Sequence, residues 1–287
     1  MKRVSIYVIC ALFLISCSHT GKKITVKNHV KSTENKRIPG AQVANDTLVI
    51  PNDTIPKVTI ADGTIQVGQL LIDTANKVNI LEDGSIPYHG DVDPNDAKLN
   101  WEGIFHNKGT FYIKPTKIKI ASEHSEMDEE ENQKTGWQIK CDVKDSCFIL
   151  ISGVDNLING VIKRFPWQGE FSYAGQKKEF DYQGITYTLY TTGAKRNGKA
   201  CNLKLFLMAN VKGHNFNQLI ESLGNEPTDD DPNTIYLTFI GDIDGDKIPD
   251  FITSISGYGG GSTTVYLSKP AGDYAILKPI GLFSTTD

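Results

Sequence analysis

After residue 15 the chain has no long apolar run, so nothing beyond that point reads as a membrane-spanning helix. A broad excess of basic residues is also missing. Lys and Arg number 30 against 34 Asp and Glu, a formal charge of −4, and this argues against a nucleic-acid binder. Catalytic signatures are absent. His89, His106, His124 and His214 are scattered without H-E-x-x-H spacing, no G-x-S-x-G occurs, and Lys134-Thr135-Gly136 has no S-x-x-K to accompany it. The glycine-rich stretch 257–261 lacks the Lys-Ser/Thr ending of a phosphate loop and precedes strand-like sequence, so it reads as a tight turn. With 39% hydrophobic and 22% charged residues, the chain is neither collagen-like nor disordered as a whole. Turn formers (26 Gly, 12 Pro) and aromatics (11 Tyr, 12 Phe) lean towards β structure.

The first residues read as an address. Lys2 and Arg3 precede an uncharged run from Val4 to Ile15, too short to span a membrane comfortably, which suits the h-region of a signal peptide. It ends in Leu14-Ile15-Ser16-Cys17, which resembles the lipobox of bacterial lipoproteins. That resemblance implies cleavage after residue 16, lipidation of Cys17, and attachment to a membrane, here expected to be the outer membrane because Ser18 rather than Asp follows the cysteine. Each buried methylene of an acyl chain contributes roughly 0.8 kcal/mol, so three chains anchor without a transmembrane helix. Residues 17–57 are polar, Lys-rich and poor in large apolar groups, and read as a flexible tether.

From residue 58 short strand-like runs recur: 58–60, 64–67, 70–72, then 104–105, 111–113 and 117–120, with Asn107-Lys108-Gly109 as a hairpin turn. Residues 58–122 are thus expected to form a small β unit. Six acids fall between Glu123 and Glu131, and 123–135 reads as a solvated acidic linker. Residues 136–287 read as a second β domain, with strands near 137–141, 147–151, 185–190, 203–208, 235–240, 251–255 and 263–267. Phe216 to Leu223 has apolar residues at 216, 219, 220 and 223, which fits helical spacing. The expected class is mainly β: a sandwich or open curled sheet, not a complete propeller. Cys141, Cys147 and Cys201 are an odd set. A local bridge across 142–146, read as a hairpin turn, and a Cys147–Cys201 bridge stay open alternatives. Trp167, Phe171, Tyr173, Tyr182, Tyr187 and Tyr190 read as either one face of a core or a glycan or peptide groove.

One stretch carries chemistry. In Asp242-Ile243-Asp244-Gly245-Asp246-Lys247-Ile248-Pro249-Asp250, carboxylates stand at positions 1, 3, 5 and 9. Four of them in nine residues repel one another unless a cation intervenes, and Ca²⁺ takes six to eight oxygens from carboxylates, carbonyls and water. Asp242, Asp244, Asp246 and Asp250 would offer carboxylates and Ile248 its backbone carbonyl. Position 12 is Thr253, where an EF-hand needs Glu, and both flanks read as strands. This strand–loop–strand pattern, over about 235–268, resembles the FG-GAP (integrin-like, VCBS-type) repeat. The resemblance implies one calcium held in a β-hairpin-like blade, although Lys247 stands where such repeats usually carry Gly, a position that often favours positive φ. Gly90-Asp91-Val92-Asp93-Pro94-Asn95-Asp96 begins in the same way but has Leu99 at position 9. The reading is a lipid-anchored envelope protein with a structural calcium and a binding or surface-assembly role towards an envelope glycan or protein. The alternative is an enzyme or accessory factor acting on envelope polysaccharide.

Overall fold

The computed structural model describes residues 58–287, apart from 126–127, 129, 131, 156, 197–198, 225–233, 258–259 and 287. The signal peptide, Cys17 and the tether lie outside the described residues. Among those described, helical structure is confined to short 3₁₀ pieces at Thr74–Asn76, Pro94–Lys98 and Lys269–Ala271. The rest is strand and connection, and no sheet closes into a barrel or propeller. The mainly β class expected from the sequence is what the chain forms.

Three larger sheets stack. One has six strands in the order β1 (Val58–Ala61), β2 (Thr64–Val67), β14 (His214–Leu223), β13 (Lys199–Val211), β12 (Ile185–Arg196) and β11 (Lys177–Tyr182). A second has five: β10 (Gly169–Phe171), β15 (Thr234–Gly241), β16 (Asp250–Gly257), β17 (Gly260–Leu267) and β18 (Lys278–Thr286). The third runs β3 (Asn79–Leu81), β8 (Ser146–Ser152), β4 (Trp101–Asn107), β5 (Thr110–Thr116) and β9 (Gly160–Ile162). A separate hairpin pairs β6 (Ile118–Glu123) with β7 (Gly136–Cys141). All pairings are antiparallel except β2 with β14.

The second sheet is the middle layer, because alternate residues of its strands enter two different cores. Ile235, Leu237, Phe251 and Tyr266 pack with Tyr187, Leu189, Leu205 and Leu207 of the six-stranded sheet. Phe239, Ile252, Val265 and Phe283 pack with Trp101, Ile104, Ile113 and Ile149 of the third. A strand covered on both faces needs no polar side, which is why Asp250 in β16 is followed by two consecutive apolar residues, Phe251 and Ile252. The six-stranded sheet has one covered face and alternates: Leu203, Leu205 and Leu207 are buried, Lys204 and Met208 exposed. Each fully buried Leu contributes about 1.5–3 kcal/mol. Lys108 and Gly109, both left-handed, make the two-residue turn expected between β4 and β5.

Several expectations changed. Phe216–Leu223 is strand β14, not helix. Its inward positions are Phe216, Gln218 and Ile220, and the polar Gln218 breaks the period-2 signal. Gln218 is buried because its amide serves backbone: it donates to the Leu277 carbonyl (2.6 Å) and accepts from the N–H groups of Ile276 and Leu277. Residues 70–72 form no strand; Leu70 is buried and Leu71 is exposed. The 142–146 segment is not a hairpin turn, since β7 pairs with β6 and β8 with β3 and β4. Of the two readings of the six aromatics, the core one holds for part of the set and no single groove gathers all six. Phe171, Tyr182 and Tyr187 are core, whereas Tyr173 is exposed and Tyr190 stacks on Phe206.

Strand pairing also crosses the expected linker: β8 joins β4, and β2 joins β14. Nor is the acidic stretch wholly solvated. Asp128 accepts from Ser125 N, Thr135 N and the Thr135 hydroxyl, and it pairs with His124 at 3.4 Å.

A β-bulge sets Ile220 as the extra residue opposite β13 and turns Glu221 inward beside it. Glu221 accepts from the Thr253 hydroxyl (2.6 Å) and the Tyr266 hydroxyl (2.7 Å), and burial raises its carboxyl above the ordinary glutamate range. The folded state therefore binds this proton more tightly than the unfolded chain. Stability from Glu221 is fully present below the unfolded value and declines as pH climbs towards the folded one. Glu221→Gln is expected to raise Tm at pH 8 and leave it unchanged at pH 4. Melting curves at the two pH values check this, and an equal shift at both would contradict it.

Candidate metal centre

β15 and β16 are neighbours in the middle layer, and Gly241 pairs with Asp250 where the acidic loop leaves and rejoins the sheet. The loop is curled by two left-handed residues, Gly245 (φ 83°) and Lys247 (φ 72°). Their N–H groups donate to the two oxygens of Asp242, at 2.6 and 3.1 Å. Lys247 thus adopts the positive φ expected of that position, at a cost of roughly 1 kcal/mol relative to Gly.

Asp250 is fully buried and organises the loop. Its Oδ2 accepts from Ile243 N (2.5 Å) and Asp244 N (3.1 Å), and its Oδ1 from Ser268 N (2.7 Å) and the Ser268 hydroxyl (2.9 Å). That hydroxyl also lies 2.9 Å from Asp246 Oδ1, and its single proton serves one carboxylate at a time. Asp246 Oδ1 accepts as well from Ile248 N, while the Ile248 side chain packs in the core. Asp244 Oδ2 accepts from Lys269 N (2.9 Å). Asp244 Oδ1 is buried and has no partner.

Carboxylate oxygens of Asp242, Asp244 and Asp250 lie within 4.8 Å of one another, and all three residues are buried. Asp246 stands at the rim, tied to them through Ser268. No Lys, Arg or His forms an ion pair with these acids among the described residues. Burial and mutual repulsion both disfavour the charged forms of these acids. Burial pushes the Asp244 carboxyl up to about 6, and the Asp246 and Asp242 charges push the same way against the Lys269 N–H. Burial, and then the Asp244 charge, hold Asp250 well above the usual carboxylate range.

The lone-pair count divides the roles. A carboxylate has about four acceptor positions. The donors around Asp250 occupy nearly all of them, so Asp250 is mainly the clamp of the loop. Asp242 and Asp244 keep free lone pairs. The set is all oxygen, curled and buried, and it fits a hard cation in chemistry and shape. The second Asp stretch is put to another use: Asp93 caps the 94–98 turn, accepting from Asn95 N and Asn95 Nδ2, and no second metal-ligand cluster occurs among the described residues.

The sequence reading missed what encloses the loop. Asp242 N donates to the Tyr182 hydroxyl, which itself donates to the Lys163 carbonyl, and Ile158 N donates to the Ile243 carbonyl. Ser268 directly follows β17 and lies outside the Asp pattern, so nothing in the spacing marks it.

Fold and site together define a three-layer β protein with an acidic loop at one end of its middle sheet. No family model, no curated protein and no solved structure matches the chain.

Proposed function

We propose that the 242–250 loop holds a structural Ca²⁺, and that the chain is a lipid-anchored envelope protein whose β body serves binding or surface assembly. The observation that carries the metal is Asp244 Oδ1, a buried acceptor without a donor, among acids that form no ion pair among the described residues. Leaving such a group unsatisfied costs about 1–3 kcal/mol, and more when it is charged. A cation removes that cost. Asp242, Asp244, the rim oxygen of Asp246, the Ile248 carbonyl and water supply the shell, and Asp250 keeps the loop in shape for it. When bound, the ion supplies charge neutralisation and rigidity, and no reaction step is assigned to it. The lipid anchor rests on the resemblance of Leu14–Cys17 to a lipobox.

Two measurements test this reading. Calorimetric titration of metal-stripped protein is expected to show uptake of one Ca²⁺ per chain. Metabolic labelling with palmitate is expected to mark the wild type and not Cys17→Ser. Failure of the first removes the metal, and failure of the second removes the anchor.

One observation favours the enzymatic alternative. A cleft of about 680 Å³ beside β4 and β5 is lined by Glu102 and Asp142 together with Lys98, Asn100 and Lys117. Glu102 Oε2 is buried there without a partner, and burial raises the Glu102 carboxyl. That is the environment of a general acid.

A further inference from the structure

We propose that Cys141 and Cys147 form a disulfide that closes the five-residue segment Asp142–Ser146, and that Cys201 stays a thiol. Cys141 ends β7 and Cys147 is the second residue of β8, strands of different sheets, so backbone pairing is not what joins them. Their side chains nevertheless pack against the same apolar cluster, with the Cys141 thiol donating to the Val143 carbonyl and the Cys147 thiol to the Ile149 carbonyl. Both are free thiols in this structure.

The segment between them is pinned from outside at both ends. Cys141 N donates to Asp83 Oδ1 (2.7 Å). The Asp142 carboxylate accepts from the Thr116 hydroxyl (2.6 Å) and Lys117 N (3.2 Å), and Asp145 accepts from the Tyr112 hydroxyl and Asn107 Nδ2. These anchors hold the thiols in register. Cys201 sits buried in β13, in the six-stranded sheet. That placement decides between the two pairings that spacing alone leaves open.

Bridging removes two protons and two electrons. The oxidant is an exchangeable disulfide of a thiol–disulfide oxidoreductase, or of a small thiol in its oxidised form. One cysteine thiolate attacks a sulfur of that disulfide, forming a mixed disulfide and expelling one thiolate. The second cysteine then attacks the protein sulfur and expels the other, leaving the oxidant as two thiols. Burial raises both thiols, Cys147 the more strongly, and this keeps thiolate scarce once the fold has closed. The bond therefore forms during folding.

The sequence allows a direct test. Trypsin cuts after Lys140, Lys144 and Lys163, which places Cys141 and Cys147 on separate peptides, 141–144 and 145–163. The full chain is reduced in denaturant, refolded in a buffer of oxidised and reduced glutathione, blocked with N-ethylmaleimide under denaturing conditions, and digested. The expected result is a linked pair of these two peptides that dithiothreitol splits, with the maleimide label on Cys201. Cys201→Ser is expected to leave the link intact, and Cys141→Ser to expose Cys147 to the label. Label on both Cys141 and Cys147 after refolding, or a link from either to any other cysteine, would overturn the proposal.

Discussion

Asp250→Ala is expected to lower Tm by at least about 10 °C, or to leave the protein insoluble. The substitution strips a fully buried carboxylate from Ile243 N, Asp244 N and Ser268 N, and nothing replaces it. Hydrogen bonds contribute about 0.5–1.5 kcal/mol each, more where the acceptor is charged, and each orphaned N–H group adds a desolvation cost of about 1–3 kcal/mol. A net loss of about 4–5 kcal/mol is reasonable even with partial relaxation. For a body of this size each kcal/mol moves Tm by about 2–4 °C. Thermal denaturation with calcium and with EDTA reads the effect, which is expected in both conditions because the clamp acts without the ion. A Tm within 2 °C of wild type would show that the loop does not depend on Asp250.

The second large effect concerns the ion. Adding Ca²⁺ to about 100 times its Kd is expected to stabilise the wild type by about 2.7 kcal/mol, a Tm rise of roughly 5–10 °C. Asp244→Asn is expected to cross over. It keeps an oxygen for Lys269 N and replaces the partnerless Oδ1 with an uncharged amide, so the EDTA-treated variant melts above EDTA-treated wild type. The same change removes a ligand, so the calcium-dependent rise shrinks or vanishes. Differential scanning calorimetry of four samples, two proteins with and without calcium, distinguishes the cases. A variant that loses stability in EDTA and keeps the full calcium shift would refute the assignment of Asp244 as a ligand.

Strand identity was legible wherever burial was one-sided or a turn was chemically marked. Ile185–Tyr190 and Leu203–Met208 alternate because one face is covered, and Lys108-Gly109 supplies the two left-handed residues a tight hairpin needs. The acidic loop was legible because like charges at positions 1, 3, 5 and 9 have few other uses. Gln218 hid β14, since a buried amide that serves distant backbone looks exposed in a sequence. The layer order was hidden too. Which of two cores takes Phe251 and which takes Ile252 depends on partners more than 40 residues away, and no local period encodes that. Ser268 was missed for the same reason: its hydroxyl is 18 residues from the carboxylate it serves.

The middle sheet lends one of its faces to each outer sheet, and this couples their fates. Neither flank can peel away without baring a wall of aromatics and branched aliphatics to water. The loop at the rim of that shared wall sends Ile248 into one core and Ile243 into the other, so the two outer layers are expected to lose their packing together, as one transition in calorimetry.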